Sequence, residues 1–152
     1  MNIANVSNSI AESTALQASG ISKAAELGGR ILLASLYLLS GLSKVGPGYT
    51  ATAEYMNSVG VSGSLLPVVI ATEIIGALAI IAGWQTRLVA FLLAGFTLLS
   101  AALFHNNLGD QIQMIMFLKN VSITGGFLIL VANGAGVLSL DHRLANRVAG
   151  SK

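Results

Sequence analysis

The side chains best placed to do chemistry in this sequence are a carboxylate and three bases, each on a different apolar segment. Glu73 stands near the middle of Leu65–Gly83, LLPVVIATEIIGALAIIAG, and Lys44, His105 and Lys119 belong to the three other apolar runs. A carboxylate inside a run of that length is costly to bury and needs a partner. A lysine can pair with it or donate to a carbonyl oxygen, and a histidine titrates near neutral pH and can carry a proton. Tyr37, Thr97, Asn120 and Ser122 lie close enough in helical spacing to add hydroxyl and amide groups to the same cluster. Plainer roles compete with these. Each lysine can run its stem to the headgroups, His105 can be an interfacial histidine, and a Glu–Lys pair can serve only to fix helix register.

Other chemistry is excluded by what the sequence lacks. It has no cysteine and only two histidines, so thiolate metal sites, disulfides and cysteine nucleophiles are absent and a histidine-rich haem or metal site is not expected. Glu73, His105 and a distant Asp110 are too few ligands for a metal. No nucleophile–base constellation and no phosphate-binding loop is visible. The net charge of +2 is small and its basic residues are scattered, which does not make a nucleic-acid surface.

The elements that must carry these residues are membrane spans. Apolar residues make up 54% of the chain and charged residues 9%, against about 25% charged in a soluble domain. Four runs of spanning length predict an all-α membrane protein, a four-transmembrane-helix bundle, with spans at about 28–46, 65–84, 87–105 and 112–133. Gly46-Pro47-Gly48 stops the first, and Pro67 fits the first turn of the second. Gln85-Thr86-Arg87 is so short a link that the second and third spans must be antiparallel neighbours. Trp84 marks a membrane boundary, and Ala51–Val59 reads as a short interfacial helix with Tyr55 and Met56 at the headgroups.

Residues 1–22 read as a polar N-terminal arm, 23–143 as the membrane domain and 144–152 as a basic tail. The arm has no basic start and does not read as a targeting peptide. Lys23, Arg30, the first apolar run and Ala51-Thr52-Ala53 imitate a cleaved signal, but Lys44 and a polar stretch separate the run from that site.

An even number of spans puts both termini on one side, with Lys23, Arg30, Arg87, Arg143, Arg147 and Lys152. That bias predicts cytoplasmic termini. Glu73 then lies roughly 12 Å below the outer end of its helix. Lys44 and His105 end their spans on that side, and Lys119 lies about two turns in from it. Four polar groups thus share the outer half of the bilayer. The expected inward stripes are Tyr37-Gly41-Lys44, Glu73-Gly76-Ile80, Thr97-Ala101-His105 and Lys119-Ser122-Gly126. Small residues in such stripes permit close helix approach.

Short motifs also recur at spacings that resemble one family. They are Gly29-Arg30, Ser40-Gly41-Leu42-Ser43-Lys44, Tyr55-Met56 with Gly60-Val61, Glu73 with Gly76, and Gly83 with Thr86-Arg87. Phe104-His105, Phe117-Leu118-Lys119-Asn120, Gly125-Gly126 and Leu138-Ser139-Leu140-Asp141 follow. From Leu27 to Arg143 the chain resembles the DoxX family of small bacterial membrane proteins. The resemblance implies a multi-pass protein of the bacterial inner (plasma) membrane. It also implies association of some members with quinone-linked respiratory complexes or redox homeostasis, and no single activity.

Three functions follow as expectations. The first is a quinone-contacting or redox-complex membrane subunit, with Lys44, Glu73, His105 and Lys119 as the ligand-binding or proton-carrying set. Tyr37, Thr97, Ser122 and Asn120 would be its polar lining. With no cofactor motif, the chain would not be an enzyme alone but a membrane subunit of an oxidoreductase, with quinone as the cofactor and a redox protein as the partner. The second is a small-solute transporter, which with four spans needs a homo-oligomer. The third is a scaffold or assembly partner with no ligand.

Overall fold

The computed structural model describes residues 3–150, with side chains from residue 19 onward. Among the described residues the chain is helical without strands, and four helices are long and apolar enough to cross a membrane. They are α1 (Ile3–Ser43), α3 (Leu66–Ala82), α4 (Thr86–Phe104) and α5 (Gln111–Asn133). The apolar part of α1 is Ser19–Ser43. Two shorter helices complete the chain, α2 (Gly48–Ser58) and α6 (Leu140–Ala149).

Local sequence sets most of the boundaries. At Gly46 the backbone turns left-handed, with φ 71°, and α1 has already stopped at Ser43 rather than at the expected 46. The interfacial helix expected over 51–59 is α2, which begins earlier, at Gly48. Pro67 occupies the first turn of α3, and Asp110 caps α5 by accepting the Gln113 amide at 2.9 Å, meeting a donor that has no partner within the helix. Two stretches differ from expectation. Helix α1 already begins at Ile3, inside the stretch read as a polar arm, although side chains before residue 19 lie outside the described ones. Much of the basic tail is helix α6, capped by Ser139, whose hydroxyl accepts from the His142 amide. Met1, Asn2, Ser151 and Lys152 lie outside the described residues.

The spans pack as two antiparallel pairs, α1 with α3 and α4 with α5, joined by α3 against α4. Arg30 reaches Ile80 while Lys44 reaches Glu73, so α1 and α3 run in opposite directions. Ala34 and Tyr37 of α1, Ala77 and Ile80 of α3, Ala90, Leu93 and Ala94 of α4, and Phe127 of α5 form the core. Its many alanines bring backbones close, which in lipid drives association through packing rather than through hydrophobic transfer. The outward surface is apolar instead. Leu32 is 75% exposed, Ile75 64% and Ile129 63%, as expected of helices whose solvent is hydrocarbon.

Candidate functional site

The expected polar cluster is anchored where α1 closes on α3. Gly41 makes this approach possible, since a Cβ there would stand 2.7 Å from Ile74 Cγ1 and 3.1 Å from Glu73 Cβ. Just past the end of α1, Lys44 turns its ammonium onto Glu73. Nζ lies 2.9 Å from Oε1 and 2.8 Å from Oε2. It also lies 2.6 Å from Ser40 Oγ and 3.2 Å from the Ser40 carbonyl. Ser40 Oγ donates to Glu73 Oε1 at 3.2 Å. Glu73 is 6% exposed and the Lys44 side chain 18%, so the carboxylate is buried and the pair is charge-assisted with two hydrogen bonds.

Two chambers meet at Glu73. One, of about 360 Å³, has apolar walls that include Tyr55, Met56, Leu99, Leu103 and Phe104, and ends on Lys44, Glu73, Ser100 and His105. The rings of Tyr55 and Phe104 lie 5.7 Å apart on its wall. The second chamber, of about 190 Å³, is polar. Tyr37, Ser40, Thr97, Lys119 and Asn120 line it, and it shares Glu73, Phe96, Ser100 and His105 with the first.

Proton accounting orders the polar groups. The Thr97 hydroxyl donates to the Leu93 carbonyl, so the short bond between Tyr37 and Thr97 has Tyr37 as donor. Tyr37 also meets Phe127 edge-on, with ring centroids 5.3 Å apart. His105 follows the last turn of α4, and its Nδ1 lies 2.8 Å from Gln113 Oε1. That oxygen only accepts, so Nδ1 carries the hydrogen of this bond and Nε2 is left to the chambers.

The structure places the eight sequence-selected residues unevenly. Lys44 and Glu73 are bonded, while Tyr37, Thr97, His105 and Asn120 line the chambers. Lys119 stands exposed on the rim of the polar chamber, with Nζ against Met116 Sδ at 3.1 Å rather than on Glu73. Ser122 is exposed, bonds back to the Leu118 carbonyl at 3.0 Å, and lines neither chamber. The inward face of α5 is Thr124 and Phe127. Ser40, Ser100 and Gln113 were missed. Ser40 lies one turn before Lys44, a spacing that would have found it.

A second polar cluster, also missed, holds the opposite end of the bundle. Arg30 is 1% exposed. Its Nη1 donates to the Ile80 and Ile81 carbonyls at 3.2 and 3.3 Å, and Nη2 donates to the Leu138 carbonyl. The guanidinium thus holds backbone acceptors at the end of α3 and before α6 that apolar surroundings would leave unmet. Gly83 makes room for it. Its φ is 68°, and a Cβ there would lie 2.3 Å from Arg30 Nη1. Beside it Asp141 Oδ1 accepts the Gln85 amide at 2.8 Å and Oδ2 the Thr86 amide at 2.9 Å. This grip holds Gln85 at its unusual φ of 47°. Burial alone would raise the Asp141 carboxyl, but the bonds from Thr86 and Gln85 and the Arg30 charge hold it below the ordinary carboxylate range.

Comparison with known proteins adds a family and two relatives. The DoxX family model matches residues 25–106, a stretch that contains Arg30, Lys44, Glu73 and His105. The chain is 47% identical over 118 residues to the inner membrane protein YqjF of Escherichia coli, across 78% of this chain and 89% of that one. It is 37% identical over 121 residues to the inner membrane protein YphA of the same organism, across 75% and 86% respectively. No solved structure matches the chain significantly.

Proposed function

The chain belongs to the DoxX family, and on that premise we propose that this inner-membrane protein binds an amphipathic ring compound, a quinone first among them, at the Glu73 chamber. The observation that carries the reading is the chamber's division, an apolar volume of about 360 Å³ closing on Lys44, Glu73, Ser100 and His105. Ligand sites combine apolar walls with a few convergent polar groups in this way. Apolar walls would hold the ring and its tail. The Lys44 ammonium would donate to a ring carbonyl oxygen by releasing its contacts with Ser40. His105 Nε2 and Glu73 would hold or pass a proton, with the polar chamber behind them as the route to the surface.

A quinone supplies coupled electron and proton carriage when bound. The chain contributes binding and proton handling, and electrons come from a partner oxidoreductase, so the protein acts as a membrane subunit rather than an enzyme alone. The basic residues Arg87, Arg143 and Arg147 lie at the end of the bundle opposite Lys44 and Glu73, which supports cytoplasmic termini and a chamber toward the outer leaflet.

A second reading has its own support. Lys44 and Glu73 satisfy each other, with Ser40 closing the group. A self-contained pair suits a scaffold whose buried charges fix helix register.

Thermal melts of wild type and Glu73→Gln in mild detergent, with and without a short-chain ubiquinone analogue, separate the two. Ligand at a hundred times its Kd adds about 2.7 kcal/mol to the folded state. A shift in wild type that disappears in Glu73→Gln supports the quinone site. No shift in wild type, with a large fall in the variant's own Tm, leaves the scaffold.

A further inference from the structure

Helix α6 carries an apolar stripe that the bundle leaves exposed. None of its residues is buried. Leu140 and Leu144 are 41% and 49% exposed, and with Val148 they recur at every fourth position, which aligns them along one side. Arg143 and Arg147 border that side. His142 and Asn146, whose ring nitrogen and amide lie 3.0 Å apart, take the far side.

The first turn of α6 fixes what the stripe meets. The Asp141 amide donates to the Gly83 carbonyl at 2.9 Å, and the Asp141 carboxylate holds the first amides of α4. Ser139, 4% exposed, caps the helix and donates to the Gly136 carbonyl at 2.6 Å. These bonds pin α6 to the turn between α3 and α4, where two apolar spans end and Trp84 stands half exposed. That is the depth at which hydrocarbon gives way to headgroups. The stripe continues the lipid-facing surface through exposed Val137 and Leu138. A helix with an apolar side, flanking arginines and a polar back is built to lie in that layer. Ten residues bind weakly by themselves, so the Asp141 anchor holds the helix in place.

We propose that α6 lies in the headgroup layer, with Leu140 and Leu144 turned to the acyl chains and Arg143 and Arg147 bound to the phosphates of anionic phospholipids. Guanidinium groups match phosphate oxygens in geometry and charge.

The absence of native cysteine makes the test direct. A single nitroxide label is placed at Leu144→Cys or Asn146→Cys in the full chain. The protein is reconstituted in vesicles of phosphatidylcholine alone or mixed equally with phosphatidylglycerol. In the mixed vesicles the label at 144 is expected to collide with oxygen in preference to a water-soluble nickel chelate, and the label at 146 to show the reverse. The contrast shrinks in phosphatidylcholine, and Arg143→Gln with Arg147→Gln reduces it to that level while leaving the thermal melt unchanged. Equal nickel access at both positions in mixed vesicles overturns the proposal. So does a contrast indifferent to lipid charge and to the arginines. A label at 144 shielded from both reagents, and broadened by a second label until diluted with unlabelled protein, assigns the stripe to a second copy of the chain instead.

Discussion

Lys44 Nζ lies 2.8 and 2.9 Å from the two carboxylate oxygens of Glu73, and the approach is set one turn earlier, where Gly41 lets α1 close on α3. The ion pair and the helix crossing are therefore one feature. A larger residue at 41 moves the charges apart, and loss of either charge removes a bond that spans the crossing.

Lys44→Met leaves Glu73 buried without its cation. Breaking a buried pair from one side costs about 3–5 kcal/mol, and the partial exposure of Lys44, 18% of its side chain, places this pair toward the lower figure. Lys44→Met combined with Glu73→Gln costs less than the two single changes added together. Unfolding of the four proteins in a denaturing-detergent titration measures the coupling, and strict additivity removes the pair as a stabilising unit.

Gly41→Val drives a branched side chain against Ile74 and the Glu73 stem. Overpacking of this kind costs about 1–3 kcal/mol, and the stretched Lys44–Glu73 pair adds to it. Ile74→Ala in the same chain is expected to recover part of the loss in Tm, because the nearest atom met is Ile74 Cγ1. No recovery places the strain in the backbone.

Gly83→Ala is expected to damage the opposite end of the bundle. A left-handed conformation costs a non-glycine residue roughly 1–2 kcal/mol, and the new Cβ displaces Arg30 Nη1 from its carbonyls. Arg30→Lys is not a conservative change here, because one ammonium cannot span the carbonyls of Ile80, Ile81 and Leu138. Both variants lower Tm, and Arg30→Lys on top of Gly83→Ala lowers it little further. Independent losses contradict a shared seat.

Asp141 gives the fold an acid-sensitive end. Its carboxyl is held below the usual range in the folded chain, so its contribution is present above the unfolded value of about 3.9. It is lost as pH falls through the lower folded value. The Tm gap between wild type and Asp141→Asn is expected to be widest at neutral pH and to close toward pH 3. A gap that is constant across that range means the charge of Asp141 is not what caps α4.

Much of the bundle was legible because lipid imposes length. Runs such as Leu65–Gly83 have to be spans, and a lone Glu73 inside one demands a partner. Lys44 could be named because it ends a span at the depth of Glu73. The face of α5 was not legible, since its residues are apolar nearly all round and Lys119-Ser122-Gly126 made as good a stripe as Thr124 and Phe127. The helix before residue 19 gave no apolar period to read. Arg30 looked like a topology marker. Its seat is built from carbonyls far along the chain, at Ile80, Ile81 and Leu138, and backbone acceptors carry no sequence signal.

Arg30 lies on α1 and Lys44 just past its end, about 21 Å away, and both grip α3 or its flank. Helix α1 is thus clamped to α3 at two heights, and neither sliding nor rolling between them is open without breaking a buried charge contact. Among the described residues the seam between that clamped pair and the α4–α5 pair carries no ion pair and is crossed by the Tyr37–Thr97 bond, and both chambers lie along it. Glu73 therefore stands on one side of that seam and His105, at the end of α4, on the other.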